Sequence, residues 1–116
     1  RYLFSEEYPK AITASKININ FLRKINRDEI TSRSIEIPAC NSFMLTERSD
    51  MHQSIFKDGV DVGYFSNNEE LLNKIRFYLK DNIKRKKCSE SAYNKVKFMR
   101  LNFSDQFNLI MKGLSK

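Results

Sequence analysis

From Arg27 to Asn41 the chain reads Arg-Asp-Glu-Ile-Thr-Ser-Arg-Ser-Ile-Glu-Ile-Pro-Ala-Cys-Asn, and this run holds most of the side chains suited to chemistry. It follows the apolar run Ile17–Phe21 and precedes a second one, Phe43–Thr46. Thr31, Ser32 and Arg33 therefore fall where a loop after a strand turns into a helix. Free backbone N–H groups at a helix start, two hydroxyls and a guanidinium form an anion site suited to a diphosphate. Asp28 and Glu36 stand eight residues apart across the same loop and helix start. A carboxylate there can accept two hydrogen bonds from adjacent sugar hydroxyls, as acidic residues do for ribose in dinucleotide folds. The plainer alternative makes Asp28 a turn residue and Glu36 a surface carboxylate paired with Arg33. Spacing alone leaves both readings open.

Other chemistry is poorly represented. His52 is the sole histidine and has no cysteine near it, so it reads as a polar helix residue and not as a metal ligand. Cys40 and Cys88 are far apart, with no CxxC, and read as thiols of a cytosolic protein. There is no GxSxG, Walker-A or GxGxxG pattern. No metal and no cofactor is expected.

The elements that must position the Arg27–Asn41 run alternate in type. Strands are predicted at Ile17–Phe21, Phe43–Thr46 and Val60–Phe65, with a further one at Tyr2–Phe4. Helical segments fall at Glu6–Ser15, Ser32–Cys40 and a short turn at Met51–Phe56. Pro38 is compatible with a helix here only if the helix is short or starts late. The best-defined helix is Asn68–Lys80, capped by Asn67 or Asn68, with Glu69 and Glu70 in the first turn, where the dipole favours negative charge. Leu71, Leu72, Ile75, Tyr78 and Leu79 give it an apolar stripe. Two more helices are predicted: Ile83–Met99, with Cys88, Ala92, Val96 and Met99 on one face, and Ser104–Leu114. Strands alternating with helices predict an α/β fold: a partial Rossmann-like domain with a short parallel sheet of three to four strands and a helical C-terminal tail.

The 116 residues suffice for one modest domain, and 41% hydrophobic content with nine Phe and five Tyr supports a packed interior. No run approaches the length of a membrane span and no signal sequence opens the chain. The net charge of +7 is uneven: residues 1–79 carry eleven basic and eleven acidic side chains, while residues 80–116 carry ten and three. This basic tail suits an anionic partner such as nucleic acid or acidic lipid, or is a solvated helix face. A start at Arg1 and a short sheet both predict a segment of a longer chain.

The runs SRSIEIPACNSFMLTERSD and IFKDGVDVGYFSNNEELLNKIRFYLKD resemble the C-terminal donor-binding domain of GT-B glycosyltransferases, particularly the CgeB-like group. Arg33, Glu36, Ile37, Pro38, Ala39, Cys40, Leu45, Thr46 and Glu47 match the first motif. Phe56, Gly59, Phe65, Glu69, Glu70, Leu71, Ile75, Tyr78 and Leu79 match the second. The likeness spans about residues 5–110 and implies that residues 1–116 are the nucleotide-sugar-binding part of a retaining enzyme of cell-surface or spore glycan synthesis, inactive alone. By the resemblance, Glu36 holds the ribose hydroxyls, Asp28 lies by the transferred sugar, and Arg33 helps to neutralise the diphosphate, beside the Thr31 and Ser32 hydroxyls that the loop-to-helix start already offers it. The partners implied are a nucleotide-diphosphate sugar and an acceptor glycan, lipid or protein, with the basic tail near an anionic membrane surface and no specific nucleic acid. Asp28 replaces the Glu common at its position, and Asn41 stands where the family has Gly. Asn is the side chain that best tolerates the positive φ such a Gly permits. A small basic nucleic-acid-binding module is the alternative function.

Overall fold

The computed structural model describes residues 15–22 and 32–102. Three short strands, β1 (Asn18–Asn20), β2 (Met44–Glu47) and β3 (Gly63–Phe65), form a parallel sheet in the order β1-β2-β3. Asn20 pairs with Thr46, and Thr46 with Tyr64, so the three strands end at a common edge. The helices are α1 (Ser32–Ala39), α2 (Asp50–Ile55), α3 (Asn68–Lys80) and α4 (Asn82–Asn102). This is the expected α/β architecture, with three parallel strands and two long helices closing the described chain. The predicted strand at Tyr2–Phe4, residues 6–14 of the first predicted helix, and the helix Ser104–Leu114 lie outside the described residues.

Parallel strands buried on both faces cannot afford polar outer sides, and β2 illustrates the rule. Met44 enters one apolar cluster with Ile35 and Ile37 of α1, Phe56, Val62, Tyr64, and Ala92 and Val96 of α4. Its neighbour Leu45 enters the other, with Phe43, Phe65, Leu71 and Tyr78 of α3, and Cys88. The period-two alternation of a strand thus sends successive side chains into two different cores. Helix α4 contributes to both, Cys88 to one and Ala92 and Val96 to the other.

Gly63 fixes how closely α3 approaches the sheet. A Cβ built there would sit 2.8 Å from Leu45 Cδ1, 2.8 Å from Tyr78 Cε2 and 3.3 Å from Phe43 Cζ. The Tyr78 ring occupies the space a side chain would need. Phe43 packs on it with ring centroids 4.4 Å apart, and burial pushes the phenol up to about 12.

Several predicted details are corrected. The third strand starts at Gly63 and not at Val60, because residues 57–62 form a turn. Gly59 takes φ +77 there, and the Asp61 carboxylate accepts the Lys57 N–H at 2.7 Å. The apolar stripe of α3 is narrower than expected. Leu71 and Tyr78 are buried and Ile75 half-buried, whereas Leu72 and Leu79, one residue further round the helix, are 53% and 47% exposed. Arg85 is not part of a basic surface: it is buried, and its guanidinium donates to the Tyr78 and Leu79 carbonyls and to Asn82 Oδ1. Those carbonyls lie in the last turn of α3, where Tyr78 O also accepts the Asp81 N–H at 3.4 Å, so the cation meets the negative end of the helix.

Pro38 lies in the last turn of α1, not the first. Lacking an N–H, it cannot donate to the Ser34 carbonyl, and the helix stops one residue later. Cys40 N–H then donates to both Glu36 O and Ile37 O at 3.1 Å, and Asn41 N–H to Pro38 O at 2.9 Å. Asn41 adopts φ 54, the left-handed conformation expected where the family has Gly.

Candidate functional site at the carboxyl edge of the sheet

In an open parallel sheet, ligands meet the carboxyl ends of the strands, where loops run into helix N-termini. Here that edge is formed by Asn20–Leu22, Glu47–Ser49 and Phe65–Asn67, with the first turns of α1, α2 and α3 above it. The first turn of α1 contains no acidic residue to neutralise its dipole, whereas α2 opens with Asp50 and α3 with Glu69 and Glu70. Of the three helix starts, α1 is the one whose own charges favour an incoming anion.

Arg33, in that first turn, is exposed, and Glu36, one turn along, is half-buried. Burial and, to a smaller extent, the Glu36 charge raise the Cys40 thiol above its ordinary value. Ser32 opens the helix. The structure thus brings Ser32, Arg33 and Glu36 onto one short helix at the carboxyl edge; Asp28 and Thr31 lie outside the described residues.

Beneath Arg33 and Glu36 lies a polar cluster that apolar periodicity could not reveal. Ser34 turns inward and is fully buried, as are His52 and Thr46, with Asn20 almost so. Asn20 Nδ2 donates to Ser34 Oγ and to Thr46 Oγ1, each at 3.1 Å. Ser34 Oγ lies 2.6 Å from His52 Nε2, and Ser49 Oγ 3.0 Å from His52 Nδ1. Ser49 also caps α2 by accepting the His52 N–H at 3.1 Å. One chain of hydrogen bonds therefore joins the ends of β1 and β2 to α1 and α2. Burial drives the His52 imidazole down to about 4, against a smaller opposing hydrogen bond with the Glu47 backbone, so the ring is neutral at pH 7. The clue in the sequence was the polar alternation Asn18-Ile19-Asn20 in an otherwise apolar strand, and Thr46 in the next.

The other half of the edge is held by ions. Glu47 accepts the Leu22 N–H, bridging β2 to the segment after β1. Arg48 forms a two-pronged pair with Glu70 (3.2 and 3.0 Å), donates to Ser66 Oγ, and lies 5.9 Å from the centre of the Tyr64 ring. The hydrogen bond from Arg48 holds the Glu70 carboxyl below its usual range. Glu70 also accepts the Ser66 N–H at 2.7 Å, while Asn67 Oδ1 accepts the Glu70 N–H at 2.8 Å, a reciprocal cap on α3. Among the described residues, no three His, Cys, Asp or Glu side chains come together as a metal site, and no helix is long and apolar enough to cross a membrane.

Fold and edge together define an α/β domain of the open parallel type, with an anion-favouring helix start at the ligand edge of its sheet. The chain belongs to the glycosyl transferase-like family, whose sequence pattern matches residues 1–105. No curated protein and no solved structure matches it. Membership supports glycosyl transfer in general, with a sugar donor and an acceptor.

Proposed function

We propose that the chain is the donor-binding part of a two-domain, GT-B glycosyltransferase that takes its sugar from a nucleotide diphosphate. The carrying observation is the placement of Arg33 and Glu36 on α1 at the carboxyl edge, in a chain of the glycosyl transferase-like family. In this reading Thr31, Ser32, Arg33 and the positive end of the α1 dipole hold the diphosphate, and Glu36 accepts two hydrogen bonds from the ribose hydroxyls. Asp28 lies by the transferred sugar. As the glycosidic bond breaks, negative charge collects on the departing diphosphate, and Arg33 stabilises it there more than in the intact donor. The acceptor is a glycan, lipid or protein. The likeness to CgeB-like enzymes supports a retaining, cytoplasmic enzyme of cell-surface or spore glycan synthesis, with residues 1–116 inactive alone.

The basic tail fits the same reading. Lys86, Lys87, Lys97 and Arg100 are exposed on α4, which also presents Ile83 and Leu101, each 71% exposed. A face mixing cations with bare apolar side chains suits an anionic bilayer, where a lipid-linked acceptor would be met, better than the nucleic-acid alternative. Co-sedimentation with vesicles containing acidic lipid, and none with neutral vesicles, is the expected result. Equal binding to both, or to neither, removes this part of the reading.

The donor site is tested by thermal-shift titration of the full-length protein with UDP-, GDP- and ADP-sugars. At least one should raise the melting temperature, and Glu36→Gln should abolish the rise. Indifference of the parent protein to every donor, or an equal response in the variant, would overturn the assignment.

A further inference from the structure

The buried cluster under α1 is costly to maintain. Asn20, Ser34, Thr46 and His52 occupy core volume that apolar side chains could fill without the penalty of desolvating polar atoms. Each also belongs to a different element: Asn20 ends β1, Ser34 is in the first turn of α1, Thr46 is in β2, and His52 is in α2. The Ser34 hydroxyl joins two of them directly, meeting Asn20 Nδ2 at 3.1 Å and His52 Nε2 at 2.6 Å, and reaches Thr46 through Asn20. Ser34 is flanked in sequence by Arg33, which is exposed, and the half-buried Glu36 follows two positions on, so the inward-facing hydroxyl sits between the two on one short helix. Hydrogen bonds are directional where apolar contacts are not, so this hydroxyl fixes both the rotation of α1 about its axis and its height above the sheet.

We propose that Asn20 and His52 are positioning residues for the donor site, acting through the Ser34 hydroxyl to hold Arg33 and Glu36 in one orientation at the carboxyl edge. The inference rests on the donor reading above and extends it to residues that touch no ligand. Neither an apolar cluster nor the eight residues of α1 alone would set that orientation, since Pro38 removes one of the few backbone bonds the helix could make. A displacement of about 1 Å at a binding group is enough to lower rates a hundredfold.

The test compares donor affinity with stability in the full-length protein. Ser34→Ala deletes only the shared oxygen, and Asn20→Ala deletes one of its partners. Each variant should bind the responding nucleotide sugar at least about tenfold more weakly, with KM rising more than kcat falls, at a temperature where circular dichroism shows the fold intact. The double variant should be no weaker than Ser34→Ala, because both changes act through one hydroxyl. A purely structural cluster predicts the opposite: lower melting temperatures with donor affinity unchanged in the folded protein, and that result overturns the proposal. Should Ser34→Ala fail to fold, Asn20→Ala and Ser34→Thr, which keeps the hydroxyl and should keep the affinity, decide the matter in the same way. Glu36→Gln separates the two levels of argument. Loss of binding in Glu36→Gln without loss in the Ser34 and Asn20 variants refutes the positioning role alone, whereas no donor binding by the parent refutes both.

Discussion

Acidification from pH 7 to pH 5 should destabilise the fold by about 2 kcal/mol, with His52 as the chief cause. The imidazole is fully buried and its ionisation is pushed from 6.5 to about 4, principally by burial. In the unfolded chain it takes up a proton below about pH 6.5, while in the folded chain it resists until about pH 4. The unfolded state therefore binds more protons throughout this window, and stability falls as pH falls. The stabilisation is intact above pH 6.5 and exhausted below pH 4, where the accumulated loss reaches about 3 kcal/mol at 1.36 kcal/mol per unit. Asp61 and Glu70 are both held below the usual carboxylate range and so add their losses lower in the pH range. Because the chain has a single histidine, its imidazole proton resonance can be followed by NMR without assignment work. Urea midpoints measured from pH 7 to pH 4 on the parent and on His52→Gln complete the experiment. The parent should lose stability steeply and the variant should follow a flatter curve. A resonance titrating near 6.5, or parallel curves for the two proteins, would show that the ring is not sequestered as described.

Three other perturbations probe separate parts of the fold. Gly63→Ala must push aside Leu45 or the Tyr78 ring and should cost about 1–3 kcal/mol in urea unfolding; an unchanged midpoint would disprove the close contact of α3 with the sheet. Lys95→Met should cost about 1–2 kcal/mol: it leaves the buried Asp61 carboxylate with the Ser91 hydroxyl and the Lys57 N–H, but the Lys95 side chain is 44% exposed and solvent screens the pair; an unchanged stability would show the pair to be idle. Asn41→Val puts a β-branched side chain at φ 54 and should cost about 1–2 kcal/mol, while Asn41→Gly should be neutral or stabilising, both read from melting temperature.

What could be read in advance divides along a physical line. Local signals held: the Asn67 cap, the break at Asp81, and the buried face Cys88–Ala92–Val96 depend on residues three or four apart. So did Asn41, where conformational tolerance belongs to one residue. Features set by distant partners did not show. The bonds of Asn20 cross 14 and 26 positions, and that between Ser34 and His52 crosses 18. No periodicity reports such pairings, so His52 read as a polar helix residue although it is a buried hub. Asp61, whose partners Ser91 and Lys95 lie 30 and 34 positions away, entered only a count of charges for the same reason; Arg85 was counted in the basic tail because its partners, though close in sequence, are backbone carbonyls that no residue pattern reports. At the proposed donor site, Arg33 and Glu36 were picked out by residue type and motif, and the helix that carries them was found where expected. The inward turn of Ser34 between them was not.

The corner at Arg85 makes a mechanical unit of the last two helices. With the guanidinium bound to two carbonyls of α3 and to Asn82 at the start of α4, the corner between the two helices is pinned from inside the turn. The far end of its shorter arm, 13 residues or about 20 Å away, carries Glu70 and its grip on Arg48 at the carboxyl edge. Arg85 thus does the work of a connecting loop: one guanidinium, bonded on both sides of the turn, sets the angle between the two longest described helices.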